Sequence, residues 1–326
     1  MKEKKPQLIV MCGLQSSGKS YQAKVLKLEL EKGDNKQKTV ILSSDEIRKE
    51  NPGLANDKIF SKLYSDMNYW LRHGDNVIID ATNITIKSRK HIFTSLQVDC
   101  YKICYIMNTL VATCIERVKE RNKDSNEHFV PLEVIDKYHK SFEIPFYEEG
   151  WDEIKLHNIP EANKTESMMN MLLCMADGFD QCNKHHTQDL LQHMLNTESA
   201  YADLITKCDV RHIVRIAAKY HDVGKLFTQT FGEDGQAHYY NHANIGAYYL
   251  MCIIAMYYGI YSAVEYDPES TLEFLFYINY HMHMYNLKTE KSVNKWKNIF
   301  GEFKFNQLKL LNECDMNSHI NNKGGN

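Results

Sequence analysis

Residues 7–20 read QLIVMCGLQSSGKS, and this stretch decides the fold of the first half of the chain. Its opening is apolar and suits a buried strand. Residues 13–20, GLQSSGKS, then match G-x-x-x-x-G-K-S, and SYQAKVLKLELEK follows with apolar residues at helical spacing. Strand, glycine loop and helix in that order form a phosphate cradle. The loop turns its N–H groups inward, and the helix N-terminus adds partial positive charge. Gly13 and Gly18 are expected to adopt backbone angles closed to other residues. Ser16, Ser17 and Gly18 complete the cradle, Lys19 bridges the β- and γ-phosphates, and Ser20 holds the metal. The implied cofactor is ATP with Mg²⁺.

Further along, TVILSS, NVIIDA and CYKICYI read as buried strands, alternating with the helical patterns DKIFSKLYSDMNYWLRHG and TLVATCIERVKERN. Such alternation predicts a parallel sheet with helices on both faces. Ligands of such sheets lie at the carboxyl ends of the strands. Asp45 and Arg48 follow the second strand there. Asp45 is expected to act as general base toward an attacking hydroxyl, and Arg48 to grip an acceptor phosphate. A second reading makes Ser44 or Asp45 a helix N-cap and Arg48 a surface residue. Asp80 ends the next strand as an acceptor-side or metal-side carboxylate. Arg117 and Arg121 stand four residues apart on one helix face, where they repel each other unless an anion lies between them. That suits a lid closing on ATP.

This series, GLQSSGKS, SSDEIR, IIDATN, CIERVKER and VPLEVIDKYHKSFEIPFYEEGWDEI, resembles the 5′-hydroxyl polynucleotide kinases over residues 7–156. The resemblance implies Asp45 as general base, Arg48 as the acceptor-phosphate grip, and Arg121 or Arg117 as the lid arginine, with Arg121 favoured. The middle of the loop departs from the family's common GxPGSGKS through Leu14, Gln15 and Ser16.

Past residue 165 the texture changes. Strand signals stop and six segments with helical periodicity follow, so the second half is expected to be all-α. The boundary falls near HNIPEANKTES, giving domains 1–160 and 161–326. Of 15 histidines in the chain, ten lie beyond residue 165. His221 and Asp222 are adjacent. On an ideal helix such neighbours diverge, so they can share a site only across a helix end. His193 precedes them; His242, His281, His283, Asp315 and His319 follow, the last two at helical spacing. The ordered set is similar to the HD phosphohydrolase superfamily over residues 180–320. By that resemblance His193, His221, Asp222 and Asp315 hold a divalent metal, and His242 and His281 hold a second metal or a substrate phosphate. Lys225 contacts a phosphate oxygen. Imidazole with carboxylate suits Mn, Fe, Co, Ni or Zn. Such an ion polarises phosphate and acidifies water. His186, His238 and His283 are weaker candidates.

The two resemblances together imply nucleic-acid end healing. A 5′-hydroxyl of an RNA or DNA strand, single-stranded at its end, receives the γ-phosphate, and the HD half removes a 2′-, 3′- or 2′,3′-cyclic phosphate. Bacterial HD-Pnk enzymes join these modules in the opposite order. No ligase signature is present, so a separate ligase would join the strands. The alternatives are a nucleoside kinase fused to an HD nucleotidase, and a nucleotide-gated signalling module. A formal net charge of −3 gives no general basic field, so a nucleic acid must meet local patches. With 43% hydrophobic and 25% charged residues the chain reads as globular. Nine cysteines without a CxxC pair, no signal peptide and no membrane span point to reduced thiols in the cytoplasm.

Overall fold

The computed structural model describes residues 5–32, 37–124, 129–157, 165–183, 188–205, 212–257 and 268–319. The chain divides into two compact units, Met1–Tyr138 with Glu149–Asn158, and His139–Glu148 with Ile159–Asn326.

The first unit is an α/β layer structure. Strands β1 (Gln7–Cys12), β2 (Thr39–Ser43), β3 (Asn76–Asp80), β4 (Tyr101–Ile106) and β5 (Glu153–Leu156) form one sheet in the order β2-β3-β1-β4-β5. All four pairings are parallel. Central strands of such a sheet are buried on both faces and carry near-continuous apolar runs. Accordingly Leu8, Val10 and Met11 are fully buried, as are Val77 and Ile78. Helices α1 (Lys19–Glu31), α2 (Ser44–Glu50), α3 (Asn56–Arg72), α4 (Ile86–Ser95), α5 (Val111–Arg121) and α6 (Leu132–Lys140) supply the connections and flanking layers. The crossovers change side at β1, so its carboxyl end faces the crevice where ligands of open sheets bind.

The second unit is helical: α7 (Thr165–Ala176), α8 (Leu190–Ile205), α9 (His212–Tyr220), α10 (His242–Tyr257), α11 (Pro268–Tyr280), α12 (Glu290–Phe300) and α13 (Glu302–His319). Helix α8 packs on both α9 and α13, and α10 packs on α11. The all-α expectation misses one small feature. Thr230–Phe231 pairs with Ala237–His238 as an antiparallel hairpin. Its turn, Gly232–Gly235, places Gly235 at φ 72° and is closed by the Gly235 N–H donating to Gly232 O. Segment 139–148 packs inside this unit: Asn244 donates to Phe142 O at 2.9 Å, and Tyr280 Oη to Ile144 O at 2.8 Å. Among the described residues, no helix is long and apolar enough to cross a membrane.

Candidate functional site

The glycine loop lies between β1 and α1. Ser16 (φ 58°) and Gly18 (φ 97°) are left-handed, which turns successive amides toward one concavity. Gly13 does not have a positive φ; it is needed for space. A Cβ there would lie 2.7 Å from Met107 Cβ and 2.8 Å from Ser17 Oγ. The Gly13 N–H donates to Thr82 O at 3.0 Å, and Asn83 Nδ2 donates to Met11 O at 2.8 Å. The IIDATN segment therefore braces the loop from below.

Lys19 is buried and donates to Leu14 O at 2.7 Å and Gly13 O at 3.2 Å. Burial lowers its pKa, against the opposing pull of Asp80. Ser17 Oγ is buried without a hydrogen-bond partner, whereas Ser20 is exposed. Asp80 is buried at the end of β3, in register with Ser43.

Asp45 and Arg48 lie in α2, just past the carboxyl end of β2. The helix N-cap is Ser43, whose hydroxyl accepts from Glu46 N at 3.4 Å, in place of the Ser44 or Asp45 of the capping reading. Arg48 Nη1 contacts Asp45 Oδ1 at 2.6 Å, and Nη2 donates to Asn56 Oδ1 at 2.8 Å. Both members of this ion pair are more than a third exposed, so it contributes little to stability.

Of the two lid candidates, Arg117 is at the loop. Its Nη1 approaches Ser16 O at 3.4 Å and would lie 3.5 Å from a Cβ on Gly18. Arg121 sits one turn farther along α5, with Nε and Nη2 buried and without hydrogen-bond partners. The periodicity alone could not separate the pair.

Sequence reasoning missed Arg89 and Glu149. Arg89 is fully buried in α4 and grips Glu149 through Nε (2.6 Å) and Nη2 (2.7 Å), with Nη1 on Asn83 O at 3.2 Å. The pair lies beneath the loop that follows β3, so it supports the cradle and does not line it. One signal was present: an acidic residue two before Trp151, whose Nε1 also donates to Glu149.

In the second unit the histidines and aspartates converge. His221 and Asp222 follow the last residue of α9 and precede a 3-10 turn, Val223–Phe227. His242 opens α10, His281 opens a 3-10 turn after α11, His193 comes from α8 and Asp315 from α13. All six are buried. His193 Nε2 lies 3.3 Å from Asp222 Oδ2 and 3.1 Å from Asp315 Oδ1; His221 Nε2 lies 3.4 Å from each of these oxygens. On the other carboxylate oxygen, Asp222 Oδ1, His242 Nε2 closes at 3.0 Å and His281 Nε2 at 3.5 Å. Asp222 thus stands between two groups that share it: His193, His221 and Asp222, and Asp222, His242 and His281.

The far side of each ring fixes what its near side can do. His221, His242 and His281 contact the carbonyls of Ala218, Tyr239 and Ile278 through Nδ1, at 2.7, 2.8 and 2.8 Å. A carbonyl only accepts, so each Nδ1 carries the proton. Ser318 Oγ gives its own proton to Asp315 O and receives from His193 Nδ1 at 2.9 Å. With Nδ1 so engaged, each ring turns its Nε2 toward a carboxylate oxygen. The Nε2 atoms of His242 and His281 also face each other, 3.2 Å apart. Two ring nitrogens at that range are held together by a proton or a cation between them. Burial opposes charge on His221, but Asp222 and Asp315 outweigh it and its pKa is pushed up to about 10. Burial lowers His281 instead. The spacing also fits a metal: at bonds of about 2.1 Å, neighbouring ligands are about 3.0 Å apart in an octahedron and 3.4 Å in a tetrahedron.

Lys225 lines the cleft beside Asp222. Its Nζ lies 2.6 Å from Asp222 Oδ2 and donates to Gln181 Oε1 at 2.9 Å. Burial works to raise the Asp222 carboxyl, yet Lys225 and His221 hold it well below the usual carboxylate range. Tyr285, also missed, donates to Asp315 Oδ2 at 2.7 Å. A cleft of about 720 Å³ opens onto Asp222, His242 and Asp315. His283 packs against Trp296 and Phe300, and burial takes its pKa down to about 4. His238 is exposed at the hairpin. His186 and the His319 side chain lie outside the described residues.

The sequence model of the AAA domain family matches residues 8–145, less than half of the chain. No curated protein matches. Among solved structures, the Pnkp1/Rnl/Hen1 RNA repair complex has a chain 24% identical over 41% of this chain and 43% of its own length, with TM-score 0.36. A gluconokinase from Sinorhizobium meliloti 1021 is 14% identical over 47% of this chain and 82% of its own, with TM-score 0.33. A kinase from Chloroflexus aurantiacus is 15% identical over 47% and 85%, with TM-score 0.37. The chain spans less than half the length of the RNA repair chain that it matches. The glycine loop on a parallel five-stranded sheet is a P-loop kinase-like fold, equipped for nucleotide binding and phosphoryl transfer.

Proposed function

We propose that the chain heals nucleic-acid ends with two phosphate centres, a P-loop kinase over residues 1–160, apart from segment 139–148, which packs in the helical unit, and an HD-type phosphohydrolase over 161–326. The observation that carries the second activity is the set of four Nε2 atoms and two carboxylates within 3.0–3.5 Å, each ring tied back through Nδ1.

In the kinase, the loop amides and Lys19 wrap the ATP phosphates. Arg117, already at the loop, offsets charge that develops on the moving phosphoryl group. Asp45 takes the proton from the 5′-hydroxyl of the acceptor strand. That oxygen bonds to the γ-phosphorus as the bond to the β-phosphate oxygen breaks and ADP leaves. Arg48, beside Asp45, holds the acceptor's phosphate. Asp80 and Ser20 would hold Mg²⁺.

In the phosphohydrolase, His193, His221, Asp222 and Asp315 would hold one divalent cation, and Asp222, His242 and His281 a second. Cations there would polarise a phosphate and acidify water. Lys225 offsets the charge of Asp222 at the cleft wall, and the Nδ1 anchors fix the ring planes. With Asp222, Asp315 and Asp234 against Lys225 among the described residues of its walls, the cleft alone carries excess negative charge, so bound cations favour the entry of a phosphate. The product end, freed of its 2′-, 3′- or 2′,3′-cyclic phosphate, suits a separate ligase.

A net charge of −3 favours one rival, a nucleoside kinase joined to a nucleotidase. Labelled ATP offered with a 5′-hydroxyl oligonucleotide, and separately with free nucleosides, decides between them. Label on the oligonucleotide is the expected outcome; label on nucleosides alone overturns end healing.

A further inference from the structure

The cleft of the helical unit has an aromatic lip that the cation chemistry does not use. His238 and Tyr239 line the cleft. Tyr240, 67% exposed, stacks on the His238 ring at 5.5 Å between centroids and 13° between planes. A tyrosine so exposed gains little from burial, so the stacked pair is poorly explained as core. The lip is also fixed to the cluster. Asn241, at φ 61°, turns the chain between Tyr240 and His242, and Tyr239 O accepts from His242 Nδ1 at 2.8 Å. Stacked rings with an open face are therefore held two residues from a cluster imidazole. Around the cleft, Asn183, Asp234 and Gln236 bring amide and carboxylate groups, the chemistry that pairs with a base edge. A volume of about 720 Å³ falls within the range of small-molecule sites. Glu233 and Asp234 at the hairpin tip disfavour a long polyanion crossing this rim.

We propose that the cleft accepts a phosphate ester carried on a nucleobase, with the base extending the stack that His238, on the cleft wall, forms with Tyr240 behind it, and the phosphate at the His–Asp cluster. This rests on the phosphohydrolase reading of that cluster. The recognised unit is a single nucleotide or the last nucleotide of a strand. Aromatic rings accept any base face, so the lip selects for a base without selecting which one.

The test uses full-length Mn²⁺-loaded protein carrying Lys19→Ala, which weakens nucleotide binding at the P-loop. Calorimetry compares adenosine 3′-monophosphate with glycerol 2-phosphate, a secondary phosphate ester without a base. The expected preference for the nucleotide is roughly tenfold or more. It falls toward unity when Tyr240→Ala is added and survives Tyr240→Phe. Equal affinity, no binding of either ester, or a preference unchanged by Tyr240→Ala and by His238→Ala overturns the proposal. Phosphate release is followed in parallel. A base preference without release from either ester sinks the hydrolase reading and leaves the lip. Equal affinity with equal release does the reverse.

Discussion

Tyr285 donates to the outer oxygen of Asp315 and leaves Oδ1 facing the imidazoles of His193 and His221. Such outer contacts orient a ligand, and losing one typically costs about 10–100-fold in metal affinity. Tyr285→Phe is therefore expected to raise the Mn²⁺ dissociation constant by roughly tenfold while circular dichroism stays unchanged. An unaltered constant would show that Asp315 needs no such help. Thiols carry a second residue-scale prediction. Burial pushes Cys100, Cys114 and Cys314 up to about 11, whereas Cys174 is exposed. A raised thiol pKa keeps the unreactive S–H form as pH climbs toward 11. At pH 8, then, mass spectrometry should find Cys174 alkylated well before these three. At this scale the sequence was most legible where chemistry is contiguous. GLQSSGKS and the His221–Asp222 pair could be read directly or by family resemblance. Arg89 and Glu149 stand 60 residues apart, and each reads alone as a surface charge. Lys225 offered no hint that Asp222 would hold it.

Among elements, the approach of the turn Val223–Phe227, which follows His221 and Asp222, to α10 positions half the cluster. A Cβ on Gly224 would collide with His242 O and lie 2.7 Å from Gly246 N. A Cβ on Gly246 would in turn meet Gly224 N at 2.9 Å. Two glycines face each other because backbone packs on backbone here. Gly224→Ala should push α10 away and carry His242 with it. We expect at least a tenfold loss of Mn²⁺ affinity and a drop in thermal stability of at least about 1–3 kcal/mol, the scale of core overpacking. Normal metal binding by this variant would mean that the turn can shift freely. The core helices and the first four strands were readable from periodicity, because one buried stripe or run sets each of them. Helix α12 escaped, since its sequence, EKSVNKWKNIF, is mostly polar. The hairpin escaped because two-residue strands leave no period to detect. FGEDGQ, with glycines flanking an acidic pair, was its one turn signal.

For the whole molecule, fold class followed from the switch between strand–helix alternation and helices alone. The path of segment 139–148, which joins the helical unit, did not. Those residues sit inside a stretch that resembles kinase sequence, while their contacts, such as the Ile144 N–H on Asn279 Oδ1 at 2.8 Å, are made with residues more than a hundred positions on. Contacts so distant leave no local pattern. Two separate phosphate centres on one chain remain the core of the account, and crossed variants probe it most directly. Kinase transfer to a 5′-hydroxyl oligonucleotide and Mn²⁺-dependent phosphate release from a 3′-phosphorylated one are measured on Asp45→Ala and on His221→Ala with Asp222→Ala. The first variant should lose transfer by at least about 100-fold, as expected for loss of a general base, and keep release. The second should lose release and keep transfer. Parallel loss of both activities in each variant, or release that survives removal of His221 and Asp222, would contradict the account.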